Sequence, residues 1–281
     1  MGERPEELRA LIDSVRAQEG EPIEVAVVGN GAPVTGVPEG VRTVDLPENL
    51  GIPGGRNVGI EAFGPSGSEV DVLLFLDDDG LLPNTDTAKL VREAFADDEK
   101  LGIVSFRIAD PETGTTQRRH VPRLRASDPM RSSRVTTFLG GANAVRTSVF
   151  AEVGGLPDEF FYAHEETDLA WRALDAGWSI DYRADMVLFH PATPPSRHAV
   201  YHRMVARNRV WLARRNLPAP LVPVYVGVWL LLTLARRPSS DALKAWMGGF
   251  KEGWRTPCGP RRPMRWRTVW RLTRLGRPPV I

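Results

Sequence analysis

Three consecutive carboxylates, Asp77, Asp78 and Asp79, follow the apolar run Val72 to Leu76 and precede Gly80. An apolar run this short, without helical spacing, predicts a strand buried on both faces, and Gly80 lets the chain turn away. Carboxylates crowded at a strand end repel one another unless a cation sits among them. The carboxyl ends of strands are also where open α/β sheets bind ligands. Hard oxygen donors with few protein partners suit Mg²⁺ or Mn²⁺ shared with a diphosphate. An acidic cap on the next helix is the plainer explanation, but a cap needs one Asp rather than three. A second polar group, His164-Glu165-Glu166-Thr167-Asp168, follows the aromatic cluster Phe160, Phe161 and Tyr162. It opens a helix whose apolar face is Leu169, Trp171 and Leu174. Acidic residues at a helix start satisfy the dipole; that accounts for one or two of these groups and leaves the rest for chemistry.

The elements that must position these groups alternate in type. Pro5 to Gln18 has Leu8, Leu11, Ile12 and Val15 on one face, Pro5 in the first turn and Gly20 just past the end, which predicts a helix. Ile23 to Val28 reads as a strand ending in Gly29-Asn30-Gly31, and Val41 to Leu46 as a weaker one. Glu48 to Ile60 is a glycine-rich loop leading into a helix. After the acidic strand come a helix over Thr87 to Ala96 and a strand over Leu101 to Ile108. The polar stretch 110–134, with Arg118, Arg119, Arg123, Arg125, Arg131 and Arg134, reads as a loop near the site, its arginines open to phosphate or to solvent. An apolar segment, Val135 to Val145, surrounds Gly140-Gly141. Val149 to Gly155 ends a short helix. Trp178 to Tyr182 and Met186 to Phe189 read as two strands, the second ending in His190-Pro191. Strand, helix, strand in alternation predicts an α/β fold with a mostly parallel, Rossmann-like sheet flanked by helices.

At 281 residues the chain is long enough for one large domain, or one domain and an appendage. A single cysteine, Cys258, excludes an intramolecular disulfide framework and any multi-cysteine metal site, and fits a reducing compartment. The polar opening M-G-E-R-P-E-E does not read as a signal peptide. The net charge of +1 conceals a division. Residues 1–196 hold 18 Lys and Arg against 33 Asp and Glu, whereas residues 197–281 hold 18 against two, Asp241 and Glu252. We therefore expect a catalytic domain over 1–196 and a helical, basic extension over 197–281. Such asymmetry suggests an anionic partner for the extension. Nucleic acid would explain the basic region but not the carboxylates.

Within the extension, Arg203, Arg207, Arg209, Arg214 and Arg215 interleave with Met204, Val205, Val210, Trp211 and Leu212 on an amphipathic helix. Leu221 to Ala235 is uncharged, but its 15 residues fall short of the roughly 20 needed to span a bilayer. From Lys251 onward, basic residues alternate with Trp254, Trp266 and Trp270, the composition of a helix lying in the headgroup layer. Packing of this tail against its own acidic domain is the alternative.

Four stretches in order, N-L-G-I-P-G-G-R-N-V-G-I (Asn49 to Ile60), F-L-D-D-D-G (Phe75 to Gly80), Gly140 to Tyr162, and H-E-E-T-D-L-A-W-R (His164 to Arg172), resemble the bacterial family 2 glycosyltransferases over about residues 4–215. The resemblance implies a GT-A fold and inverting transfer of a hexosyl or rhamnosyl group. The donor would be a nucleotide sugar, UDP- or dTDP-linked, and the acceptor a glycan or lipid-linked hydroxyl in cell-envelope polysaccharide synthesis. It implies that Asp77 and Asp79 hold Mg²⁺ or Mn²⁺, with His190 as a further ligand. Glu166 would be the general base, with Glu165 and Asp168 beside it. Asn30, Asn49, Gly51, Gly55, Arg56, Asn57, Asp77 and Asp78 would meet the donor, the glycine-rich loop through its backbone N–H groups. Gly141, Tyr162, His164, Trp171 and Arg172 would support the acceptor side. Together with the basic extension, this implies a cytoplasmic enzyme, peripheral at an anionic inner membrane face.

The chain departs from the family pattern in two places. Family members place a strand and a T-x-N-R-like turn before the first helix, whereas this chain starts inside that turn at Met1-Gly2-Glu3-Arg4-Pro5. The strand that supplies part of the nucleoside pocket is expected to be missing, a misplaced start codon being the simplest explanation. Gly29-Asn30-Gly31 stands where the family commonly has Asp-Asn-Gly/Ala. Two other functions compete. A haloacid dehalogenase-type phosphatase would use Asp77 as nucleophile and Asp79 as acid, but it leaves the Asn49 to Ile60 stretch unexplained. An inactive sugar-binding relic is the non-enzymatic reading.

Overall fold

The computed structural model describes residues 4–124, 128–191 and 201–281. The expected turn residues Met1 to Glu3, Arg125 of the polar loop and the first residues of the basic extension, 197–200, lie outside the described residues. In chain order the elements are α1 (Pro5–Arg16), β1 (Ala26–Asn30), β2 (Arg42–Leu46), α2 (Gly51–Glu61), β3 (Val72–Leu76), α3 (Thr87–Asp97), β4 (Leu101–Ala109), β5 (Ser133–Arg134), β6 (Ala142–Arg146), α4 (Thr147–Val153), α5 (Glu165–Ala176), β7 (Ser179–Phe189), α6 (Tyr201–Asn216), α7 (Leu221–Ala235), α8 (Ser240–Arg255) and α9 (Trp266–Arg274).

The central sheet runs β3-β6-β4-β7-β5, while β1 and β2 form a separate parallel pair. Helices flank the central sheet, as the α/β expectation requires, but its pairing is mixed rather than mostly parallel. Only β4 and β7 run parallel; β6 lies antiparallel between β3 and β4, and β5 lies antiparallel on β7. A strand buried on both faces is an apolar run whichever way it points, so periodicity carries no direction. The two strands expected after Trp178 are one, β7, whose register slips opposite Phe106 and Arg107.

Alternation along the central strands serves two cores. Ile103, Val145, Ile180 and Tyr182 face Leu169, Leu174, Trp211 and Leu212 from α5 and α6. Val104, Phe106, Ala144, Met186 and Leu188 face Leu11, Val15, Val91 and Phe95 from α1 and α3. Tyr225, Val226, Cys258, Met264 and Leu272 from the basic extension belong to the first of these cores. Among the described residues no strand lies between β1 and β3. A cavity of about 770 Å³ separates them, lined by Ala26 to Asn30, Val72 to Asp78, α1 and the glycine face of α2.

Candidate active site

The acidic tip is held where two strands end. Leu76 pairs with Ala142, and Asp77 N–H donates to the Gly141 carbonyl at 3.1 Å. Gly80 N–H donates to the Asp77 carbonyl, closing the turn that carries the three carboxylates. Leu81 and Phe189 then exchange backbone hydrogen bonds of 2.9 and 2.8 Å. That bridge brings His190 to the tip although it lies more than a hundred residues away in sequence. His190 Nε2 is 3.0 Å from Asp79 Oδ1, and Nδ1 is 2.8 Å from the Pro191 carbonyl.

The acids do not share one partner. Arg4 contacts Asp79 Oδ2 and lies 3.7 Å from Asp78. Arg56 reaches from α2 to Asp77 Oδ1 and Glu166 Oε1, each at 3.3 Å. The hydrogen bond from His190 holds the Asp79 carboxyl below its usual range, while burial pushes Asp78 up against the pull of Arg4. Asp79 in turn raises the His190 imidazole. Among the described residues no three His, Cys, Asp or Glu side chains converge on one metal position. The expected trio is thus split, Asp79 with His190 and Asp77 turned to Arg56. The Asp79–His190 pair fits a divalent cation. The Pro191 carbonyl accepts from Nδ1, so a proton or a cation must stand between Nε2 and Asp79, and the donor set is a carboxylate oxygen with an imidazole nitrogen.

Close approach explains the glycine pair. A Cβ at Gly141 would lie 1.9 Å from the Asp77 carboxyl, and one at Gly140 would lie 2.0 Å from Glu166 Oε1. Glu166 stands in the first turn of α5, part exposed, whereas Glu165 is 1 % exposed and its Oε2 has no hydrogen-bond partner. Burial first and the neighbouring Glu166 second push the Glu165 carboxyl up to about 8. Burial first, then Tyr201 and the two glutamates, raises the Tyr162 phenol. The chain enters α5 through Phe161, Ala163 and His164, all at positive φ. Asn208 on α6, wholly buried, braces this entry by donating to the carbonyls of Phe160, Tyr162 and Ala163 at 2.7–2.9 Å.

Several expected ligand contacts are instead scaffold. The stretch after Asn49 is not a loop: α2 starts at Gly51, and Ile52 N–H is already spent on the Phe161 carbonyl at 2.8 Å. Its glycines allow contact rather than flexibility, since a Cβ at Gly51 would meet the Phe161 carbonyl at 2.3 Å and one at Gly55 would meet Asn30 at 3.0 Å. Asn30 accepts from Leu50 N–H and donates to the Gly51 carbonyl; Asn49 accepts from Gly51 N–H. Asn57 clasps both backbone groups of Leu156 and the Asp158 carboxylate. Asp168 does not reach the cleft. It is fully buried and accepts from Arg172 at 2.7 Å, Arg215 at 3.0 Å and Asn216 at 2.7 Å, so it holds α5 to α6 rather than touching substrate. Arg172 continues to the carbonyls of Val153 and Gly155. Trp171 is buried edge-on against Tyr225. Sequence reasoning missed Asn208, Arg215 and Asn216 as supports; the only sign was polar residues recurring inside an otherwise amphipathic helix.

Residues 2–154, more than half of the chain, match the family Glycosyl transferase family 2, and the chain belongs to that family. Three solved structures share its fold. GalNAc-T7, solved with UDP, GalNAc and Mn²⁺, is 14 % identical over 86 % of this chain and 52 % of its own, with a TM-score of 0.59. Residues 1–349 of TarS from S. aureus, in complex with UDP-GlcNAc, are 14 % identical over 89 % and 78 %, with a TM-score of 0.58. The mannosyltransferase PcManGT from Pyrobaculum calidifontis, in complex with GDP-Man and Mn²⁺, is 16 % identical over 98 % and 82 %, with a TM-score of 0.56. The fold is therefore GT-A. This chain spans about half the length of GalNAc-T7. No curated protein matches it by sequence.

Proposed function

We propose that this chain transfers a sugar, with inversion, from a nucleotide-sugar donor to a hydroxyl of a glycan or lipid-linked acceptor. The observation that carries this reading is Arg56, whose guanidinium bridges Asp77 at the donor end of the sheet and Glu166 at the start of α5. It ties a carboxylate suited to the donor side and one suited to deprotonating an acceptor into one cleft. The nucleoside has room in the cavity between β1 and β3, which is lined by Asn30, Gly55, Arg56, Asp77 and Asp78. Asp79 and His190 are the residues that would hold Mg²⁺ or Mn²⁺, and a divalent cation there would offset charge on the departing diphosphate. Glu166, the solvent-reaching member of the acidic pair, takes the proton from the acceptor hydroxyl. The acceptor oxygen bonds to the anomeric carbon as its bond to the diphosphate breaks. Glu165, held neutral by burial, keeps a second negative charge away from the base. The neighbours solved with UDP, UDP-GlcNAc and GDP-Man support a nucleotide-sugar donor.

The test is a thermal-shift screen of nucleotide sugars with and without Mn²⁺. One nucleotide sugar should stabilise the protein only with metal, and Asp79→Ala should abolish that effect with the fold intact. Nucleotide binding that survives Asp79→Ala overturns the assignment.

A membrane-surface location is the second part of the reading. No described helix is long and apolar enough to cross a bilayer. Val224, Leu231 and Leu234 on α7 and Trp266 and Trp270 on α9 are nonetheless 47–68 % exposed. Arginines around these rings add about 1 kcal/mol each at an anionic surface, screened by salt. The tail also packs on the acidic domain, Arg265 on Asp175 and Arg215 on Asp168, so part of its charge is spent within the chain. Flotation with anionic vesicles at low but not high salt checks this; no binding at low salt removes it.

A further inference from the structure

Behind α5, on the side away from Arg56, lies a small cavity of about 50 Å³. It is walled by His164 and Thr167 of α5, Thr137 before β6, Arg209 of α6, Trp229 of α7 and Arg277 after α9. No Asp or Glu lines it, and the carboxylate of Ile281, which does line it, makes no ion pair with either arginine. Among the described residues neither Arg209 nor Arg277 forms an ion pair, although burial lowers the proton affinity of both. Arg209 has partial relief from the face of Trp229, 3.3 Å from the ring centroid, and from Tyr225 OH at 3.4 Å. A ring face replaces less than hydration gives a guanidinium, and Arg236 crowds the same ring at 5.7 Å. His164 Nε2 is shut off from solvent with no hydrogen-bond partner, and burial first, then the two arginines, hold the imidazole well below its usual range.

We propose that this cavity is a binding site for a phosphate-class oxyanion. Its size suits a tetrahedral anion, being a few times the volume one water needs. Its donors are two guanidinium forks, threonine hydroxyls and an imidazole, more than the two oxygens of a carboxylate can use. Water would satisfy the hydroxyls but leave two cations without a counter-charge. Arg209 and Arg277 remain partly exposed, so an ion has a way in. The anion is either free phosphate or the phosphate of a lipid, since α7 carries both Trp229 and the exposed apolar residues. The site shares no residue with the donor cleft, so it stands or falls apart from the transferase reading.

The experiment uses the full chain. Crystals soaked in tungstate should show the anion on Arg209 and Arg277. Inorganic phosphate, followed by calorimetry, should bind at least tenfold more weakly to Arg277→Gln and to Arg209→Lys, which keeps the stacked charge. Asp79→Ala should leave that binding unchanged. Binding of phosphatidylglycerol vesicles that falls in both arginine variants, with no affinity for free phosphate, identifies the lipid as the source. Tungstate seated only elsewhere, or affinities for phosphate and vesicles unchanged in both variants, overturns the site.

Discussion

Two networks of acids and arginines lie on opposite sides of α5, and they are built differently. At the cleft, Arg56 stands 3.3 Å from both Asp77 and Glu166, and Asp77 is 43 % exposed. Arg4 lies 3.7 Å from Asp78, which is 39 % exposed. At the junction with α6, Asp168 is fully buried and its two oxygens take three donors at 2.7–3.0 Å. In the first network the contacts of Arg56 with Asp77 and of Arg4 with Asp78 are long and their carboxylates part exposed, so these arginines can let go of the acids when a cation or diphosphate arrives. The second is dry and saturated, and releasing any member strands a charge. Proximity of opposite charges alone does not distinguish a working site from a fastening; exposure and spare lone pairs do.

The sharpest way to break this contrast is to neutralise one acid in each network. Glu166→Gln should lower turnover by roughly 10²–10⁴ with donor affinity and melting temperature little changed, the range for losing general-base help. Steady-state kinetics on the matched donor would show it. If Glu165→Gln gives that loss while Glu166→Gln stays active, the roles are reversed. Asp168→Ala should do the opposite, destabilising the fold by about 3–5 kcal/mol because Arg172 and Arg215 lose their counter-charge. Urea denaturation measures it, and a change within experimental scatter would mean that the buried network is not a fastening.

A smaller effect belongs to the brace between the two networks. Asn208→Ala leaves the Tyr162 and Ala163 carbonyls without that donor, while Phe160 keeps Arg207, and frees a backbone held at positive φ, so about 1–3 kcal/mol of stability should go. Turnover should fall with donor KM unchanged, because the entry to α5 aims Glu166. A mutant that loses stability but keeps full turnover would assign Asn208 to packing alone.

The acidic strand, the helix starting at Glu165 and the extent of α7 were legible because each rests on local pattern: an apolar run, an acidic first turn, an uncharged stretch with a proline near its start. What local pattern does not carry was missed. Strand direction in β6 comes from where the chain returns. The helical start at Gly51 runs against glycine's intrinsic cost in a helix and is set by tertiary contact with Phe161 and Asn30. Asp168 is expected beside the base because the stretch His164 to Arg172 resembles the family's motif. The spacing of a helix turns it to the other face, toward Arg215 and Asn216, which sequence cannot pair with it.

The smallest effect concerns Glu165, which borders both networks and belongs to neither. Its carboxyl, ordinarily near 4.5, is pushed up to about 8 by burial and by Glu166. Between those two values the folded protein binds a proton that the unfolded chain has released. Stability therefore declines as pH rises through that window and levels off above it. The sign is opposite to that of a salt-bridged carboxylate. Glu165→Gln supplies a permanently neutral side chain of the same shape and should flatten the decline without raising stability at the acid end. Melting temperatures of wild type and variant from pH 5 to 9 would diverge toward alkaline pH, the variant being the more stable there. His120, His164 and His190 titrate in both proteins and cancel in the difference. Parallel curves would mean that Glu165 is already charged at neutral pH, with Arg56 carrying three carboxylates, Asp77, Glu165 and Glu166, at once. The cleft would then be as tightly bound by charge as the Asp168 junction.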